Sequence, residues 1–151
     1  MRLSLFLIVS LVLQTADASR LVDNGNDTVT DRTNGLMWAK AASATTLSHD
    51  AARQYSQRFR GGGFEDWRLP TVEELGGLFD DQQCRVVRCR NNQWTVCLPP
   101  LIQVSCPWVW SAEEGPGGSF ATLLHFSNGE PRYGDPADAS QMVALPVRSI
   151  K

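Results

Sequence analysis

Three arginines and a tryptophan gather in one part of the chain: Arg85, Arg88 and Arg90, followed by Trp94. Guanidinium forks match the paired oxygens of sulfate and carboxylate groups, and an indole face can stack on a sugar ring, so the cluster suits an anionic glycan. The competing reading is a solvated hairpin whose arginines pair with Asp80 and Asp81. Interleaved with them are all four cysteines, Cys84, Cys89, Cys97 and Cys106. A four-thiolate zinc site usually shows close Cys-x-x-Cys pairs. The intervals here are longer, so two disulfides are expected and no metal.

No second constellation points to chemistry. The chain has neither a Gly-x-Ser-x-Gly elbow nor a His-Glu-x-x-His helix, and Gly61-Gly62-Gly63 lacks the Gly-Lys-Ser/Thr ending of a phosphate loop. His49 falls on the polar side of an amphipathic segment and reads as a surface residue, and His125 reads as a satisfied residue of a strand. No catalytic residue and no cofactor are expected. A formal charge of −2 does not suggest a nucleic-acid partner. The Asn24–Asp27 turn lacks the twelfth-position Glu of a calcium loop.

The elements that must position the cluster begin after an export signal. Met1 and Arg2 precede an apolar run from Leu3 to Leu13, and Ala16-Asp17-Ala18 has the small-x-small pattern of a signal-peptidase site. Cleavage after Ala18 is expected, giving a secreted or periplasmic protein. The run is shorter than the roughly 20 apolar residues of a membrane span. Residues 1–18 are thus read as signal peptide and 19–151 as one domain, with a cysteine-rich excursion over 80–107.

Leu21–Asp23 and Thr28–Thr30 flank a turn composition and predict a hairpin, and Leu36–Trp38 a further strand. Apolar positions at Leu47, Ala51, Ala52, Tyr55 and Phe59 predict a helix that runs to the glycine triplet. Thr71 and Glu74 have capping-box spacing and predict a second helix over about Val72–Phe79. Between the helices, Trp67, Arg68, Leu69, Pro70, Thr71 and Glu74 read as a joint, with Trp67 and Leu69 in the core and Arg68 bracing Glu73 or Asp66.

In the excursion, Val86–Arg90 and Gln93–Cys97 pair across Asn91-Asn92. Four cysteines allow three connectivities; this register favours Cys84 with Cys97 and Cys89 with Cys106. Trp108–Trp110, Phe120–Phe126, a short partner at Arg132-Tyr133, and a last strand through Val143, Leu145 and Val147 complete the chain. Pro146 marks an edge, a bulge or a strand end there. The order predicts an α+β domain.

Several stretches together carry a resemblance: Asp23-Asn24-Gly25 through Asp31, Thr33–Trp38, Asp66–Thr71 with Glu74-Leu75, Trp110-Ser111, Phe126–Gly129 and Pro146-Val147-Arg148. In these the chain resembles the Lcl C-terminal domain family of exported bacterial proteins. Asn26-Asp27 departs from the family's common Asp-Gly, and the cysteine-rich excursion is not general in it. The resemblance implies a C-type lectin-like fold, two helices flanking a small twisted antiparallel sheet, with the disulfide-stapled excursion added. It does not imply a calcium-dependent sugar site, because Glu130-Pro131-Arg132 places a cation where such lectins have a carbonyl ligand.

The function expected is an exported, non-catalytic binding or adhesion module whose partner is an anionic glycan or a surface protein. The alternative is a structural subunit of an envelope or pilus-type assembly, a homo-oligomer included, with Trp94, Trp108 and Trp110 as interface anchors. Arg68–Thr71 with Glu74 also resembles the formylglycine-generating, sulfatase-modifying enzymes, which need a suitably placed cysteine pair. The cysteines here lie in the excursion, so no catalytic residue carries over.

Overall fold

The computed structural model describes residues 19–151, and the expected signal segment lies outside the described residues. Among the described residues the chain folds as ten strands in three sheets with two short α-helices. The first sheet joins β1 (Leu21–Asp23), β2 (Thr28–Asp31), β3 (Leu36–Ala39) and β10 (Val147–Ser149) in that order, all antiparallel. The hairpin of β4 (Cys84–Cys89) and β5 (Asn92–Cys97) stands as a sheet of its own. The third sheet has the order β8 (Glu130–Gly134), β7 (Ala121–His125), β6 (Trp108–Glu114), β9 (Met142–Val143), with β9 parallel to β6.

This corrects the expected α+β, C-type lectin-like arrangement. The helices do not flank one small sheet. Helix α1 (His49–Arg58) stops before the glycine triplet, which forms a separate 3-10 turn with Gly62 at φ 64°. Helix α2 spans only Val72–Gly76, because the chain tightens at Gly76-Gly77 into turns in which Leu78 and Phe79 donate to Leu75 and Gly76. Both helices are short covers on the third sheet. The excursion is also regular, a paired hairpin whose turn falls one residue earlier than expected, so that each residue pairs two positions away from its expected partner. Cys84 lies directly opposite Cys97, and the turn residues are Arg90 and Asn91, Arg90 taking φ 56°. Cys84 is bonded to Cys97 and Cys89 to Cys106, the two pairs favoured from the sequence. The two bridges fit an oxidising extracellular or periplasmic compartment.

The single last strand expected through Val147 is two strands in different sheets. Pro146 lies where the chain leaves β9 for β10, and its carbonyl accepts from Ala39 at 2.9 Å. Ser43 clamps the crossing: its N–H donates to Ala144 O at 2.8 Å and its Oγ accepts from Ala144 N–H at 3.0 Å.

Two apolar clusters result. The larger buries Val29, Trp38, Leu75, Leu98, Ile102, Val109, Leu124, Phe126 and Leu145 between the sheets. The smaller, under α1, gathers Ala52, Leu69, Trp110, Leu123 and Met142. His49 belongs to this second region and not to the surface: it is 8% exposed, its Nε2 lies 2.8 Å from the Ser111 carbonyl, and its ring meets Trp110 edge-on. Ser48 is the N-cap of α1, its side chain accepting from the Ala51 N–H.

The joint between the helices forms as expected at Thr71 and Glu74, where both arms of the capping box are present. Trp67 and Leu69 are buried, the Trp67 ring edge-on to Phe59. Arg68 braces Glu74, not Glu73 or Asp66. Asp66 instead receives Arg148, whose guanidinium lies over the Phe64 ring at 3.7 Å. Among the described residues no helix is long and apolar enough to cross a membrane.

Candidate aromatic groove beside the stapled hairpin

Strand register builds the site. Trp108 of β6 lies directly opposite His125 of β7, and the two rings stack at 5.1 Å with 9° between their planes. Trp94 comes from β5 and meets Trp108 edge-on at 4.5 Å, closing the stack on one side. Period-two alternation puts Trp108, His125 and Arg132 on one face, since Arg132 pairs with Leu123, two residues from His125. That face forms the floor of a groove of about 480 Å³, whose opposite bank is the Asp138–Met142 segment. Asn128 and Gln141 add amide groups to its lining. Tyr133 also borders it, although its ring packs over Gly115.

The electrostatics of the groove are mixed. Arg132 pairs with Glu130 at 2.7 Å, both side chains being largely exposed. On the opposite bank, Asp138 caps the Ser140 N–H at 2.8 Å. Its carboxyl is held below its ordinary range by Ser140 and, in smaller part, by the charge of Arg90. His125 is not a satisfied residue: its Nε2 is buried with no hydrogen-bond partner. Burial, and then the neighbouring charge of Arg132, lower its pKa, so the ring is neutral near pH 7.

The four residues expected to bind are divided by this geometry. Trp94 joins the aromatic stack, and Arg90 stays exposed at the hairpin turn. Arg85 does not, because its side chain turns inward and donates to the carbonyls of Leu98 at 3.1 Å and Ile102 at 2.6 Å. Arg88 lies opposite Gln93 on the other face of the hairpin from Trp94. Neither does the competing pairing with Asp80 and Asp81 form: among the described residues none of the three arginines makes an ion pair, and Asp80 is engaged by Gln82 and Gln83. His125, Arg132, Asp138 and Gln141 were missed as groove residues. The signal that could have found them is the Trp108–His125 pairing, which requires the β6–β7 register.

Among the described residues, no three His, Cys, Asp or Glu side chains gather as metal ligands. No curated protein and no solved structure matches the chain. The family model described as the Lcl C-terminal domain matches residues 27–148, most of the described chain, and the chain belongs to that family.

Proposed function

We propose that this chain is an exported, non-catalytic binding module that takes a glycan carrying anionic groups in the groove between the third sheet and the Asp138–Met142 segment. The observation that carries the reading is the flat Trp108–His125 stack in a groove that the Arg132 side chain of β8 also lines, and the reading assigns the exposed Arg90 of the hairpin turn to it as a second cation. An aromatic platform suits a sugar ring, and arginine forks suit sulfate or carboxylate. The Arg132–Glu130 pair is exposed and therefore weak, so a ligand anion can replace Glu130 as partner. The non-catalytic part of the reading rests on the occupied state of the reactive side chains. All four cysteines are in disulfides, His49 is engaged with Ser111, and His125 is stacked on Trp108.

The test is a sulfated and carboxylated glycan array, with and without chelator, read for the wild type and for an Arg90→Glu, Arg132→Glu double variant. Chelator-independent binding that the double variant loses supports the reading; binding that survives both charge reversals removes the groove from the site. The assembly reading has its own observation. Strand β8 is a sheet edge, and Tyr133 (62% exposed) and Phe120 (48% exposed) lie together beside it. Pro131 and Arg132 on that edge oppose strand addition. A strictly monomeric protein by light scattering counts against assembly.

A further inference from the structure

The two disulfides differ in what can reach them. Cys89 and Cys106 are each 3% exposed, and Cys89 faces inward on the same side of the hairpin as Trp94. Cys84 begins β4 on the other face and is exposed, its Sγ 3.4 Å from the Asp81 carbonyl in a surface turn. Its partner Cys97 is 4% exposed. Of the four cysteines Cys84 alone is exposed, which makes it the one an incoming thiolate would meet first.

We propose that the Cys84–Cys97 bridge is a thiol-exchange site, opened by a dithiol protein that attacks Cys84. In the first step the donor's thiolate bonds to Cys84 Sγ and the Cys84–Cys97 bond breaks, its electron pair leaving on Cys97 Sγ, which takes a proton from solvent. In the second step the donor's other thiolate attacks the donor sulfur of the mixed disulfide and releases Cys84 as a thiolate. Two electrons pass to the bridge, which becomes two thiols, and the donor dithiol becomes a disulfide.

Two further observations support the site. Val86, two residues along the same outer face and opposite Thr95, is 66% exposed. It gives a protein donor an apolar contact beside the attacked sulfur, which a small thiol does not need. The fold also holds when the bridge opens. Asp80 N–H donates to Cys97 O at 3.1 Å, Leu98 N–H to Gln83 O at 3.1 Å and Cys97 N–H to Phe126 O at 2.8 Å, while Cys89–Cys106 still ties the hairpin to the segment before β6. Trp94 therefore stays against Trp108.

The experiment is graded reduction of the folded protein with thioredoxin or with dithiothreitol, followed by isotope-coded alkylation and peptide mapping. Cys84 and Cys97 are expected to label roughly tenfold faster than Cys89 and Cys106, as the exposed bridge is the labile one, with tryptophan fluorescence unchanged across the first step. A Val86→Asp variant is expected to slow thioredoxin several-fold and leave the dithiothreitol rate unaltered. Simultaneous opening of the two bridges, or prior opening of Cys89–Cys106, overturns the proposal. A thioredoxin rate indifferent to Val86→Asp overturns its assignment to a protein donor.

Discussion

Arg68 and Glu74 form a two-pronged ion pair, Nη1 to Oε1 at 2.7 Å and Nη2 to Oε2 at 2.9 Å, and the same Oε1 accepts the Thr71 N–H at 2.8 Å. One carboxylate thus closes the capping box of α2 and fixes the strand-like segment that pairs with β10 through Arg68 and Val147. Loss of the Thr71 hydroxyl removes one arm of the cap, so Thr71→Ala is expected to cost about 1 kcal/mol. Glu74→Ala removes the other arm and strands the guanidinium. It should cost roughly 2 kcal/mol, held down because the Arg68 side chain is 40% exposed. Urea unfolding of both variants checks the order, and a Thr71→Ala loss equal to or above that of Glu74→Ala would refute the shared-carboxylate account.

The acid side of the stability curve should be set by Asp31 as well as Glu74. Asp31 is fully buried and accepts from Arg20 through both oxygens, from the Thr33 and Asn34 N–H groups, and from the Asn34 amide. Burial works to raise its pKa, but the bonds from Arg20 and Asn34 prevail and the net direction is down. In Glu74 burial is likewise outweighed, by Arg68 and Thr71. Both groups bind protons more weakly folded than unfolded, so their stabilisation is present above about pH 4 and is lost as pH falls through the lowered values. Asp31→Asn is expected to flatten this limb while lowering stability at pH 7. An unchanged acid slope in urea melts from pH 5 to pH 2 would contradict it.

His125 acts in a different window. Its folded pKa lies below the ordinary 6.5, through burial first and Arg132 second. Below that ordinary value the unfolded chain holds the extra proton, so stability rises with pH there and declines as pH falls from about 7 toward 5. His125→Phe keeps a ring on Trp108 and removes the unpartnered Nε2. The variant should stay within about 1 kcal/mol of wild type at pH 7 and lose the slope between pH 5 and 7. A retained slope in thermal melts across that range would assign it to another group.

What the sequence disclosed was local. The capping box, the β1–β2 hairpin and the disulfide pairs depend on residues close in the chain, and each was legible. The quoted family stretches prove to be neighbours in space as well: Asp66 meets Arg148, Arg68 meets Glu74 and Ser149, and Asp31 meets Asn34. These contacts brace the first sheet, whereas Trp110-Ser111 and Phe126–Gly129 belong to the third, where Asn128 lines the groove. The misreadings have non-local causes. His49 looked solvated because helical periodicity could not reveal that Ser111 and Trp110 cover that face. Val143 and Val147 looked like one strand because alternation continues through Pro146 while the chain changes sheets. The groove needs β5, β6, β7 and β8 in register, and no window of sequence contains all four.

The two arginines that the hairpin separates give the most direct check on where binding resides. Arg85 is half-buried, makes no ion pair among the described residues, and satisfies two carbonyls of the Leu98–Ile102 loop. Burial lowers the pKa of its guanidinium, as expected for a cation held by carbonyls alone. Arg85→Ala leaves both carbonyls without that donor and is expected to cost about 2 kcal/mol in urea unfolding. Binding to a sulfated glycan should persist at temperatures where the variant is folded. Arg90 is exposed at the turn, so Arg90→Glu should leave stability within about 0.5 kcal/mol. Its glycan affinity should fall several-fold, and less so at high salt, because the lost contact is a screened charge. If Arg85→Ala abolished binding in a folded protein while Arg90→Glu left it intact, the ligand would lie on the loop that Arg85 holds and not in the aromatic groove.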